Sequence, residues 1–410
     1  KDLSEVLKTV TGFNVVQTGS FGGQTSLFVR GGESNFNLVL VDGVQVNAPG
    51  GSFDFSSLST ANIEKIEIVR GPASVLYGAN AATSVINIIT QKGQGPPSGH
   101  LEFQGGTHSS YLASGAIRGG SDRFDYSLAG LYSDTDGIHD FNSQWDRGEI
   151  SLRAGWDLTD SSSLSGGLLF TDSKQNFPTD DTGAVVDPND FRESSQTVYS
   201  VGYENRLTDL YDFKLLYGYT EHDSTIHTVR DDIVDFFDGA FPSHYDRHFF
   251  DWQNNIRIAE NNRLAAGVTY ERDATRTDES SRRSIGVYVQ DQVSWSDRTF
   301  LTGGFRYDDN DRYENFGTGN VDLAYLLTPN LKIRGSVGKG VRAPGFSEIF
   351  GFPGFGITGN PELEPESNVA VEGGVDYYAP GGRGYLLSSI YSNHFKNLIE
   401  FSFLVPPGSP

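Results

Sequence analysis

IEKIEIVRGPASVLYGANAATSVINIIT, residues 63–90, is the stretch on which the reading of this chain turns. It opens as an alternating strand, turns tightly at Arg70-Gly71-Pro72, passes through a small-residue segment and closes on the β-branched strand VINIIT. Alone, it describes a compact α+β unit. From about His100 the chain becomes a long series of alternating β-segments with polar connections. A small mixed domain followed by a large antiparallel sheet is a rare plan, and it narrows the range of functions.

Residues 1–95 form the first unit and 96–410 the second, joined across the Pro/Gly linker GQGPPSG at 93–99. Leu3, Val6, Leu7 and Val10 have the spacing of an amphipathic helix. Apolar runs follow at Thr25–Arg30 and Asn37–Val41, and Asp42-Gly43 is a two-residue hairpin signal joining LVLV to VQVN. Residues 59–63 read as a short turn or helix ahead of a strand at Ile66–Arg70.

In the second unit roughly sixteen alternating segments of typically 9–13 residues can be counted. That length suits strands crossing a bilayer at a tilt. Short connections such as 159–161 and 328–330 alternate with long ones at 174–194, 221–248, 308–319 and 341–367. Short turns on one rim and long loops on the other is the pattern of bacterial outer-membrane barrels. A soluble secreted β-sandwich or β-helix is the alternative. It predicts polar outward strand faces, whereas a barrel predicts an apolar band edged with aromatics.

Composition sets further bounds. The 410 residues carry 31 Lys+Arg against 53 Asp+Glu, a formal charge of −22, which argues against a nucleic-acid partner. Cysteine is absent, excluding disulfides and thiolate metal sites, and methionine is absent too. Opening on Lys1 fits a processed or trimmed chain. No run of about 18 apolar residues exists, so no transmembrane helix is expected, which leaves β-strands free to cross. At the far end, Asn397–Leu404 reads as a strand but VPPGSP at 405–410 cannot continue a sheet. Open edges in lipid leave backbone groups unpaired, so the chain is expected to stop before a barrel closes.

Residues 1–93 resemble the plug domain of TonB-dependent outer-membrane receptors. The resemblance is carried by LSEVLKTVTG at 3–12, FVRG at 28–31, LVLVDGVQVN at 38–47, IEKIEIVRGP at 63–72, SVLYG at 74–78 and VINIIT at 85–90. GGFRY at 303–307, GSVGKGVRAP at 335–344 and GNPELEPE at 359–366 match later marks of the family, and 386–400 resembles the strand pair that precedes the last part of such barrels. Ala82-Thr83-Ser84 departs from the glycine-rich step usual before VINIIT. Within the family, the compact plug and short turns are most similar to the vitamin B12 (cobalamin) receptor branch.

The resemblance implies a mainly β fold: an antiparallel transmembrane β-barrel of about 22 strands filled by an N-terminal α+β plug. It implies a gated active transporter of the bacterial outer membrane, not an enzyme. Ligand would settle between plug apex and long loops, and the energy-coupling protein TonB would drive its import. The family keeps its TonB-binding segment ahead of the position of Lys1. A ferric siderophore or haem receptor is the alternative within the family. No cofactor is required.

Candidate sites follow from that placement. On the plug apex they are Thr18, Phe21, Gln24 and Ser26 in TGSFGGQTS, then Glu33, Asn35 and Phe36, then Ser52 and Phe53 in NAPGGSF. Ordinary surface turns are the competing reading. Arg30, Glu64 and Arg70 are expected to pair with charges on the barrel's inner wall, together with Lys65 and Glu67. Asp180, Asp181, Asp187 and Asp190 cluster on one loop, where carboxylates suit calcium, which takes about 6–8 oxygen ligands; a solvated acidic loop is the alternative. Asp231, Asp232, Asp235 and Asp238 form a second such cluster. His222, His227, His244 and His248 lie in or beside one long loop, where neutral imidazoles could take haem or a transition metal. No Gly-x-Ser-x-Gly, Gly-Lys-Ser/Thr or His-Glu-x-x-His motif is present, so nothing singles out a catalytic group.

Overall fold

The computed structural model describes residues 2–19, 21–180, 183–230, 238–276, 280–351 and 358–401. The first ninety residues build a small mixed domain. Helix α1 (Leu3–Leu7) buries Leu3 and Leu7. It is shorter than the Leu3–Val10 spacing predicts, because the chain turns at Gly12, whose φ of 85° lies where glycine carries no steric cost. Strands β1 (Phe13–Gln17) and β2 (Thr25–Val29) pair antiparallel. Strands β3 (Asn37–Val41), β4 (Val44–Gln45), β5 (Ile63–Arg70) and β6 (Ser84–Thr90) form a sheet ordered β4-β3-β6-β5.

Asp42 and Gly43 both sit at positive φ (48° and 85°), as an Asp-Gly hairpin demands. Strand β5 starts at Ile63, three residues earlier than the alternation suggests, through an irregularity between Ile63 and Lys65. Between β5 and β6 lies the short helix α2 (Ser74–Tyr77), and Gly71 turns the chain at φ 94°.

The rest is one antiparallel sheet of 15 strands in chain order. They are β7 (Ser98–Gly105), β8 (Tyr111–Gly120), β9 (Phe124–Thr135), β10 (Trp145–Thr159) and β11 (Ser162–Asn176). Next come β12 (Phe191–Thr208), β13 (Tyr211–Thr228), β14 (Gly239–Ala259), β15 (Asn262–Thr275) and β16 (Ser281–Ser296). The last are β17 (Thr299–Asn310), β18 (Phe316–Thr328), β19 (Leu331–Arg342), β20 (Glu366–Tyr378) and β21 (Tyr385–Lys396). Among the described residues β7 and β21 are not paired with each other. The count is one below the sixteen segments expected. Asn397, at φ 55°, ends β21, so residues 397–401 are not the strand expected there, and 402–404 lie outside the described residues.

Short turns join β8–β9, β10–β11, β12–β13, β14–β15, β16–β17 and β18–β19 at one rim, and the longer connections lie at the other. The central strands exceed expectation: β12 and β13 run 18 residues and β14 runs 21. Only about 9–11 residues are needed to cross the hydrocarbon. The extra length stands on the long-loop side, and much of what reads as loop at 221–248 is strand.

Alternation places the two faces. Thr171, Gln196, Thr220 and Arg247 touch the plug side, while Phe170, Tyr199, Tyr217 and Phe250, at positions of opposite parity on the same strands, are exposed outward. Val268, Val287, Val289, Leu323 and Val371 continue this outward apolar band. Trp156, Trp295, Tyr325 and Tyr377 edge it toward the short turns, and Tyr132, Tyr270 and Tyr307 toward the long loops. An apolar wall with aromatic girdles is a lipid-facing surface, which excludes the soluble sandwich.

The plug's own core continues into the wall. Leu27, Val39, Val41, Val44, Phe53, Phe55, Ile86 and Ile88 pack with Leu169 and Val198 of the barrel. A Cβ on Gly218 would come within 2.6 Å of Val44, so that approach requires glycine. Val289→Arg, which places a charge near the middle of β16 on the lipid face, should cost about 2–4 kcal/mol. Urea titration of the protein in lipid vesicles checks this; the lumen-facing change Gln290→Glu should cost less.

Candidate ligand-binding site

The plug segment from Gln45 to Ser57 runs along the inner wall, and the barrel grips it by its backbone. Thr220 Oγ1 donates to the Gln45 carbonyl (2.8 Å), Gln196 Nε2 to Val46 (2.9 Å) and Arg247 Nη1 to Asn47 (3.1 Å). Arg342 Nη1 donates to Gly50, and Arg147 Nη1 to Ser56 (2.7 Å). Gly50 lies at φ 69° with Gly345 packed on it, so a side chain there would collide. Five barrel strands thus supply donors to one plug segment.

Burying guanidinium groups requires counter-charge. Arg247 and Arg282 share Asp273, at 2.7 and 2.8 Å, and all three side chains are essentially inaccessible. Arg282 Nη1 also donates to the Pro344 carbonyl (2.6 Å), tying the β19–β20 connection to this triad. Tyr313, in the β17–β18 connection, lies beside Arg282, and burial pushes its phenol up, so it stays neutral. Arg342 pairs with Glu366 and, at 2.9 Å, with Glu348 of helix α3 (Phe346–Phe350).

A cavity of about 160 Å³ opens between this segment and β11–β14. Gln24, Ser52 and Phe53 line it from the plug; Arg192, His222 and Tyr245 from the wall. Arg192 is held by Asp54 (3.1 Å) and Gln175 (3.0 Å), and Tyr245 stacks on His222 with ring centroids 5.0 Å apart. Charge, amide, hydroxyl and aromatic surface are therefore presented together, a set that recognises a polar ligand with unsaturated rings or amides. A second cavity, of about 780 Å³, lies at the short-turn end beneath Leu76, lined by Arg206, Asp212, Asn255, Arg263 and Gln290. It is the larger, but its lining is almost all barrel wall, mostly polar, with Leu76 from the plug.

The expected plug-apex residues divide. Gln24, Ser52 and Phe53 meet at the cavity. Thr18 closes its own loop by donating to the Gln24 carbonyl (3.3 Å), and Phe21 is half exposed. Ser26 lies in β2, paired with Val16, and does not line the cavity. Phe36 is buried against Phe395 of β21, stacked at 5.3 Å, so it anchors plug to wall; Glu33 and Asn35 sit in the same turn.

Of the plug charges, Arg30 reaches Glu372 of β20 at 2.7 Å, where Arg334 also binds, and its guanidinium lies over Tyr391. Arg70 stands beside Arg30, its guanidinium in the field of the same carboxylate. Glu64 instead accepts from the Lys92 backbone within the plug (3.4 Å), and Lys65 pairs with Glu67 on the plug surface.

Backbone amides take up the described carboxylates of the acidic loop, from within the loop and from Val229. Asp180 accepts from Ala184 N (2.8 Å), Asp187 from Asn189 N and Asp190 N, and Asp190 from Val229 N (3.0 Å). Asp181, Asp231, Asp232 and Asp235 lie outside the described residues. Among the described residues the convergent set is Glu221, Asp223 and His244 instead. Sequence reasoning missed the wall residues Arg192, Gln196 and Tyr245, which carry no motif; only strand register brings them to Phe53.

Residues 1–85 match the TonB-dependent receptor plug domain family, and 90–410 the TonB-dependent receptor-like β-barrel family. The chain belongs to the TonB-dependent receptor family. Its barrel is therefore one of the bacterial outer membrane. It is 29% identical over 388 residues to a vitamin B12 transporter BtuB of Photobacterium profundum, covering 90% of this chain and 60% of that protein. The BtuB of Vibrio vulnificus is 26% identical over 433 residues, covering 97% and 65%. The chain thus spans under two thirds of the length of these relatives. A mutant of the ferric enterobactin receptor PfeA from Pseudomonas aeruginosa shares the fold, with TM-score 0.82 at 20% identity over 98% of this chain and 69% of its own.

Replacing Asp273 by alanine leaves Arg247 and Arg282 buried without their shared carboxylate and should cost about 3–5 kcal/mol. Removing the exposed Lys214–Glu204 pair should leave the urea midpoint unchanged. Tryptophan fluorescence during urea titration in detergent distinguishes the two.

Proposed function

We propose that this chain forms the receptor and gate of a TonB-driven active transporter that carries a cobalamin-like chelate across the outer membrane. The observation that supports it most is the cavity at Gln24, Ser52, Phe53, Arg192, His222 and Tyr245, set against the backbone-gripped plug segment. The curated relatives, named as vitamin B12 transporters, supply the ligand class. Cobalamin presents amides, a phosphate and a planar ring system, which the cavity's amide, guanidinium and aromatic groups match chemically. The cavity is far smaller than such a ligand, so it receives one end of it, the remainder lying among the long loops.

In this reading the plug is divided into two working parts. Residues 45–57 sense ligand because Ser52, Phe53 and Asp54 adjoin the cavity while Gln45, Val46, Asn47, Gly50 and Ser56 are held by the wall. Arg192 acts as the coupling group, since it touches Asp54 from the wall and also faces the ligand space. Import then needs no bond-making chemistry. TonB does work on the plug, and the polar cavity under Leu76 gives a route on the short-turn side.

Calorimetric titration of the purified protein with cyanocobalamin and with a ferric siderophore panel, with and without calcium, tests the proposal. Saturable cobalamin binding is expected, and Ser52→Trp, which fills the cavity, should weaken it at least roughly ten-fold, about 1.4 kcal/mol. Binding of a siderophore but not cobalamin moves the protein to the other branch. Binding of neither overturns the receptor reading.

A further inference from the structure

The wall of the barrel has an outward counterpart to the cavity. Because His222 and Tyr245 point inward, the neighbours Glu221, Asp223 and His244 point outward from the same stretch of β13 and β14. Register sets Asp223 directly across from His244, and Glu221 follows two residues along the same face. Tyr217, Tyr219 and Phe250 lie below them on that face, so the group stands just above the apolar band, on the strand extension that lipid does not require.

Three features separate this group from an ordinary solvated acidic patch. The His244 side chain is only 10% exposed although it lies on the outer face, with Nδ1 against Asp223 Oδ1 and Nε2 at 3.8 Å from Glu221 Oε1. That second separation is beyond hydrogen-bond reach but suits two donors sharing one ion. Next, one donor atom from each of the three residues lies within 4.8 Å of the others, near enough for small side-chain rotations to close them onto a centre with Zn–N and Zn–O bonds of about 2.0–2.2 Å. Finally, Arg276 Nη2 donates to Glu221 Oε1 (3.2 Å), fixing that carboxylate in place as an outer support.

The donor chemistry selects the ion. Calcium takes about 6–8 oxygen ligands, which one imidazole and two carboxylates do not supply. Imidazole with carboxylate suits zinc and its neighbours, and three protein ligands leave one position open. We propose that Glu221, Asp223 and His244 form a divalent transition-metal site of the zinc class on the outer wall. It is separate from the ligand cavity, lying on the opposite side of the same two strands. The imidazole ligates such an ion as the neutral ring.

The test uses untagged, detergent-solubilised protein stripped with chelator and titrated with Zn²⁺ by calorimetry. One saturable site is expected. His244→Ala and Glu221→Gln should each weaken it at least roughly ten-fold, and His222→Ala, on the inner face, should leave it unchanged. Co²⁺ bound to the unmutated chain should show d–d absorption that Zn²⁺ displaces, a readout independent of whether any variant folds. Absence of saturable Zn²⁺ binding, absence of the cobalt spectrum, or unaltered affinity in His244→Ala overturns the site. Loss of binding in His222→Ala alone would place the metal in the lumen and overturn it equally.

Discussion

The barrel holds its plug by the plug's own backbone, and much of the rest follows from that constraint. Carbonyls of Gln45, Val46, Asn47, Gly50 and Ser56 accept from Thr220, Gln196, Arg247, Arg342 and Arg147. An arginine can serve there only if its charge is met, hence Asp273 between Arg247 and Arg282 and Glu366 beside Arg342. Those groups cost several kcal/mol each to bury unpaired, so the lumen must be a connected polar network. Lipid makes the opposite demand one residue along every strand. The strict two-residue period reconciles the two solvents.

How much of this could be read from residues alone depends on range. Asp42-Gly43, the β5–β6 frame and the alternation of β8 to β20 are local features, and periodicity or turn chemistry exposes them. The lengths of β12, β13 and β14 were hidden, since beyond the lipid band both faces meet water and alternation fades, as in Glu221–Thr228. The site was half legible. Gln24, Ser52 and Phe53 lie in glycine-rich turns that stand out in the chain, whereas Arg192, His222 and Tyr245 are ordinary strand residues. Their meeting depends on register across more than a hundred residues. Phe36 carried the reverse lesson: a turn aromatic that looked available for ligand is spent on Phe395.

In the proposed receptor, ligand recognition and plug retention fall to one segment. Phe53 belongs to the plug's core cluster and also lines the cavity, and Asp54 caps the turn at Ser56 while binding Arg192. A ligand that draws Arg192 away from Asp54 changes the footing of the turn next to the Arg147 contact at Ser56. β3, β5 and β6 form one sheet, and the wall also grips the frame at 63–90, Asn368 Nδ2 donating to the Ala82 carbonyl (3.0 Å) and Arg153 Nη1 to the Thr90 carbonyl (2.9 Å), so this frame is a fixed support with Arg70-Gly71-Pro72 its corner. In the proposed receptor, sensing belongs to 45–57 and rigidity to 63–90.

Hydrogen exchange of the plug with and without saturating ligand tests this division most directly. Altered exchange is expected at residues 45–57 together with 191–196, with unchanged protection in β5 and β6. Ligand saturation that leaves 45–57 unaltered, or that changes β5 and β6 first, would contradict it.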